Sequence, residues 1–149
     1  MLLRTHISIT LFFVLLLLPA VNSKFIFVVV ALIATLIPDV DSRFSKIGHK
    51  KIARVLQFFT KHRGIIHSFT FLIFLTFVLA LFFPVVSLGF FLGYGVHLLA
   101  DSFTVDGIRP FYPSKLQSKG SIRTGGKSET TVFVLFILLG LFWLVYVMF

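Results

Sequence analysis

The chain has 149 residues, enough for one domain, and 58% of them are hydrophobic, with 21 Phe and a mean hydropathy of +1.04. Soluble domains lie near ~45–50% apolar, so the composition marks an integral membrane protein. The absence of cysteine excludes disulfides, thiolate nucleophiles and cysteine-type zinc sites. The net charge of +9 points to orientation in the bilayer and to membrane lipid with anionic headgroups, with no strong nucleic-acid signal.

Taken in order, the apolar runs predict an all-α bundle of about five transmembrane helices, a single membrane domain over 1–149. Residues 7–22 and 25–38 are two short spans divided by Ser23-Lys24. Residues 65–100 are too long an apolar run for one helix of ~20 residues. Pro84 near its middle predicts a tight reversal, giving spans near 65–82 and 85–101. Residues 131–149 are the last span. In 39–63, Ile52, Val55, Leu56 and Phe59 recur at helical spacing against Lys50, Lys51 and Arg54, which predicts a basic amphipathic helix at the membrane surface. Residues 102–130 are rich in Gly, Pro and Ser, and a loop of that length is functional or disordered. The first 23 residues also resemble a signal peptide with a small-residue cut after Ser23. The retained segment is the reading adopted; cleavage would leave four spans.

With five spans, the N-terminus, 39–63 and 102–130 share one side of the membrane and carry 13 of the 14 Lys and Arg, leaving Lys24 opposite. By the positive-inside rule the shared side is cytoplasmic, in the inner or plasma membrane of a prokaryote. All five histidines (His6, His49, His62, His67, His97) and all five acids (Asp39, Asp41, Asp101, Asp106, Glu129) fall at or near that face. Orientation explains the basic residues and leaves the imidazoles and carboxylates unexplained.

His97 and Asp101, four apart, share one helix face, spaced for two ligands of one metal, for a ligand and its orienting carboxylate, or for a helix-packing pair. Asp39 and Asp41 can serve one centre only if the chain leaves the helix at about Pro38; otherwise they are a solvated exit turn. His62 and His67, five apart, converge only if Arg63-Gly64 breaks the helix, with His67 in the first turns that follow. Arg63 could then bind an anionic group bidentately. Ser68 reads as a local cap, Asp106-Gly107 as a turn, and Glu129 as the complement of the positive end of the last helix. His49 reads as solvated, and His6, a lone interfacial histidine, as structural unless it joins the others. Seven donors at one depth (His6, Asp39, Asp41, His62, His67, His97, Asp101) suffice for one or two ions. Mixed His/Asp ligation suits zinc, manganese or iron better than calcium.

PDVD (38–41), HRGIIHS (62–68), GYGVHLLADSFTVDG (93–107) and Pro113 resemble the YdjM-type family of membrane-bound, predicted metal-dependent hydrolases. Its pattern is an early His, PD-x-D, HR-x-x-x-HS and H-x-x-x-D followed by T-x-x-G. The resemblance spans roughly residues 4–113, and RTGGKSE (123–129) is similar to a later Gly-rich stretch ending in Glu. Ile66 departs from the pattern, which carries Thr before the second His. The resemblance implies a metal-dependent hydrolase at the cytoplasmic face. His6, Asp39, Asp41, His62, His67, His97 and Asp101 are then the metal ligands, with Asp41 as an alternative base and Arg63 steadying a negative substrate group. A site at headgroup depth suits a lipid or lipid-linked phosphoester. The rival readings are a metal or proton transporter, which needs ionisable groups deeper in the bilayer, and a non-catalytic adaptor that needs only the basic loops.

Overall fold

The computed structural model describes residues 1–41 and 64–148, and gives only the backbone of Val40, Asp41 and Met148. The amphipathic segment expected in 39–63, with His49, His62 and Arg63, therefore lies outside the described residues beyond Asp41. The described chain is all-helical, without strands: α1 (Leu3–Leu17), α2 (Lys24–Leu36), α3 (Phe69–Phe82), α4 (Pro84–Ser102) and α5 (Lys127–Met148). Short 3-10 turns follow α1 at Leu18–Ala20 and α2 at Pro38–Asp41.

Three segments are long and apolar enough to cross a membrane, Leu3–Ala20, Pro84–Ser102 and Lys127–Val147. The other two helices, of 13 and 14 residues, are only about 20 Å long at 1.5 Å per residue. That is well short of the ~30 Å hydrocarbon core, so they demand tilt of their neighbours or local thinning. The expected reversal occurs where predicted: Phe83 leaves the helical conformation and Pro84 opens α4 at a position where its missing N–H costs nothing. The run reads as span from residue 65, yet α3 begins only at Phe69. Ser68 caps it, its hydroxyl accepting from Phe71 N at 3.2 Å, while residues 64–67 remain in turns.

α4 is the central helix, and its three faces meet three different neighbours. Phe90, Tyr94 and Leu98 pack with Leu72 of α3, Ala34 of α2 and Ile108. Val96 and Ala100 pack with Ile9 of α1. The third face carries Gly89 and Gly93 and lies against α2, forming the most extensive helix pair. A Cβ at Gly93 would stand 1.9 Å from the Ala31 carbonyl oxygen, and one at Gly89 2.9 Å from that of Phe27. This is the small-xxx-small packing by which membrane helices gain dispersion contacts in place of a hydrophobic driving force. α5 packs chiefly on α1, through Phe136 with Phe12 and Phe13, through Arg4 over the Phe133 ring, and through a Trp143 Nε1 to Leu15 carbonyl hydrogen bond. Its other faces are apolar and exposed, as lipid contact requires.

The segment between α4 and α5 is folded. Thr104 pairs with Ile122 and Ile108 with Ser118 in isolated bridges. Gly107 adopts φ of +64°, the turn expected at Asp106-Gly107. The T-x-x-G spacing has a mechanical meaning here. Thr104 Oγ1 donates to the Asp101 carbonyl at the end of α4 and accepts from Gly107 N.

Candidate metal centre

One end of the bundle gathers the start of α1, the exit of α2, the entry to α3, the end of α4 and the start of α5. His6 sits in the first turns of α1, Asp39 in the 3-10 turn after α2, His67 just before the Ser68 cap, and His97 and Asp101 one turn apart in α4. Five of the seven expected donors are thus brought together. Of the other two, the Asp41 side chain and the whole of His62 lie outside the described residues, as does Arg63.

The stripe Gly89, Gly93, His97, Asp101 explains how α4 builds its share. Residues four apart follow one ridge of the helix. The two glycines draw α2 close, so that the next residue of the ridge, His97, meets the end of α2. His97 Nδ1 lies 2.8 Å from the Thr35 carbonyl oxygen. A carbonyl only accepts, so Nδ1 carries the hydrogen and the lone pair is left on Nε2. That nitrogen faces Asp101 Oδ2 at 3.6 Å and Asp39 Oδ1 at 3.9 Å. A metal-binding histidine oriented by a backbone carbonyl on its other nitrogen is a recurrent arrangement. Asp39 reaches the site because α2 stops at Leu36 and the chain tightens into the turn from Pro38, close to where a departure from the helix is expected.

His67 Nε2 lies 3.8 Å from Asp101 Oδ2. Three bonds hold its segment: Tyr94 Oη donates to the Ile66 carbonyl at 2.6 Å, Ser68 Oγ to that of Ile65, and Phe69 N to that of Pro110 at 2.8 Å. Gly64 lies in a bend and the chain stays in turns up to Ser68, so His67 precedes the helix rather than occupying its first turns; Arg63, the other half of the expected break, lies outside the described residues. His6 is fully buried; its ring stacks on that of His97 at 3.8 Å between centroids and 6° between planes, and its Nε2 lies 3.3 Å from Asp101 Oδ1. The same oxygen accepts from the α-amino group of Met1 at 2.6 Å.

Glu129 complements the start of its own helix, as expected, by accepting from Gly125 N. It also accepts from Leu2 N, a tie between α5 and the start of α1 that nothing in the local sequence foretells. A second missed support is the hydroxyl pair Thr10–Thr35, 2.9 Å apart and fully buried, with Thr35 Oγ1 also within reach of the Ala31 and Gly93 carbonyls. Polar residues inside an otherwise apolar span were the available signal.

The donor set fits a divalent transition metal. His6 Nδ1 and Nε2 and His97 Nε2 are buried without a hydrogen-bond partner among the described residues. Orphaned buried nitrogens cost on the order of 1–3 kcal/mol each unless something else binds them. The separations of 3.3–3.9 Å also suit ligation, since two ligands of tetrahedral zinc at ~2.0–2.1 Å stand about 3.4 Å apart. Two overlapping groups arise, His6–His97–Asp101 and Asp39–His67–His97, with the ligand atoms of each within 4.8 Å of one another.

A known protein from Bacillus subtilis (strain 168), YvsG, itself described as uncharacterized, is 32% identical to this chain over 106 residues, which cover 67% of this chain and 66% of that protein. No solved structure matches the chain. The family model of the YdjM inner membrane protein matches residues 1–149, so this membrane protein belongs to the YdjM inner membrane protein family.

Proposed function

We propose that the protein is a membrane-embedded, metal-dependent hydrolase whose site faces the cytoplasm and acts on a lipid or lipid-linked phosphoester. The observation that carries this reading is the convergence of three imidazoles and two carboxylates, from four separate elements, on one buried point with unsatisfied nitrogens. Burying such groups at a helical end of a membrane bundle is costly for packing alone and is the usual mark of function.

His6, Asp39, His67, His97 and Asp101 would hold zinc or manganese. When bound, such a metal supplies Lewis acidity, which brings the pKa of water to about 7 and polarises a phosphoryl oxygen. The two carboxylates have different parts. Both oxygens of Asp101 face imidazoles, and its side chain is only 4% exposed, which suits an anchoring ligand. The Asp39 side chain is 16% exposed and is the carboxylate that can reach entering substrate and hold the proton of the attacking water. Arg109, Lys115, Lys119, Arg123 and Lys127 lie in or beside the folded 103–126 segment at the same end. Their charge supports both the cytoplasmic orientation, with the N-terminus inside, and contact with anionic headgroups.

The test uses the full chain in detergent. Purified wild type should carry zinc or manganese in stoichiometric amount and release phosphate from a phosphorylated lipid such as phosphatidate in mixed micelles. His97→Ala should lose both. Wild type that stays metal-free after zinc and manganese supply would overturn the proposal.

A further inference from the structure

We infer that the cluster holds two cations, bridged by Asp101, with His6 and His97 serving different ions. This inference rests on the metal-dependent reading and specifies it. An imidazole nitrogen binds metal along a lone pair that lies in the ring plane. The His6 and His97 rings are parallel to within 6°, with centroids 3.8 Å apart, so their lone pairs run side by side and do not meet. An ion midway between them would stand up to roughly 1.9 Å off each plane, half the 3.8 Å spacing, against a bond of about 2.0–2.1 Å. Its bonds would then rise up to roughly 65–70° out of each ring plane, where there is no lone pair to donate.

Two further observations agree. The two oxygens of Asp101 are divided between the rings: Oδ1 faces His6 Nε2 at 3.3 Å, while Oδ2 faces His97 Nε2 at 3.6 Å and His67 Nε2 at 3.8 Å. A carboxylate so placed offers one oxygen to each of two ions. The 3.8 Å ring spacing also falls within the ~3.5–4 Å separation of two-metal sites.

The donors therefore divide unequally. His67, His97, Asp39 and Asp101 Oδ2 surround one ion. His97 serves only this one, because its Nδ1 is committed to the Thr35 carbonyl. His6 and Asp101 Oδ1 serve the other, which has fewer protein ligands among the described residues and so binds more weakly and keeps positions open for a substrate oxygen.

The experiment titrates metal-stripped full-length protein in detergent with Zn(II), counted by elemental analysis, and with Mn(II), followed by electron paramagnetic resonance. Two ions per chain, the second at least tenfold weaker, and an exchange-coupled Mn(II) spectrum are expected. His6→Gln should bind one ion with the spectrum of isolated Mn(II), with helix content unchanged by circular dichroism. A wild type with one uncoupled ion per chain would overturn the two-ion inference and leave the hydrolase proposal standing. A coupled pair that persists in His6→Gln would overturn the assignment of His6. No bound ion of either metal would overturn both proposals.

Discussion

His97 shows how much of a candidate site depends on what lies behind its donors. Its ring is held on one nitrogen by the Thr35 carbonyl, and Thr35 is in turn pinned by hydroxyl and carbonyl partners on α1, α2 and α4. His67 depends in the same way on Tyr94, whose hydroxyl holds the turn that carries it. Tyr94→Phe removes that hydroxyl without changing the packed ring and leaves the Ile66 carbonyl without its donor. The expected cost is about 1–3 kcal/mol, seen as a lower melting temperature in detergent and as metal affinity weakened by at least tenfold. Unchanged metal affinity would show that Tyr94 has no part in placing His67. At this scale the sequence exposed the candidate donors but not their supports. Histidine and aspartate stand out in an apolar span by chemistry alone, whereas Tyr94 and Thr35 look like ordinary residues of an interfacial or packed helix.

Helix pairing decides which of those donors meet. The α2–α4 pair brings Asp39 and the Thr35 carbonyl to His97, and its closeness depends on Gly93 lying against the Ala31 backbone. Gly93→Ala must push the two helices apart and is expected to cost about 1–3 kcal/mol or more, with loss of bound metal. Gly95→Ala is the control. Among the described residues its Cβ would meet only Leu72 Cδ2 at 3.4 Å, and alanine favours the helix by about 1 kcal/mol, so its melting temperature should hold or rise. If both variants behave alike, close packing of α2 on α4 is not what assembles the site. The element order and the Pro84 reversal were legible because apolar length and proline are local signals. The late start of α3 was not, since Ile65 and Ile66 are apolar enough to read as span and the Ser68 cap and the Pro110 carbonyl show where the helix begins.

Across the whole molecule, the cluster ties together elements far apart in the chain, so ligand binding should stabilise the fold globally. At a metal concentration 100 times Kd the gain is about 2.7 kcal/mol, and at ~2–4 °C per kcal/mol for a chain of this size the melting temperature in detergent should rise by roughly 5–10 °C. A chelator should reverse it, and an unchanged midpoint would argue against a metal shared by these helices. Orientation can be read separately, because the chain has no cysteine. Ser121→Cys, on the exposed 103–126 segment, should react with an impermeant maleimide in inverted vesicles and not in intact cells. The opposite pattern would place the site outside.

Sequence by itself determined the solvent and put the candidate donors near the helix ends. Apolar runs of near-membrane length require helices in a bilayer, the Lys and Arg bias sorts their ends, and ionisable residues confined to those ends cannot be lipid contacts. Tertiary structure decided which donors meet, that His6 stacks on His97, and that Asp101 turns one oxygen to each ring. Those facts depend on angles between helices, and angles follow from side-chain packing between segments remote in sequence. Residue order fixes neighbours within a turn, whereas convergence across 95 residues, from His6 to Asp101, is settled only when glycine, threonine and glutamate contacts bring the helix ends to a common point.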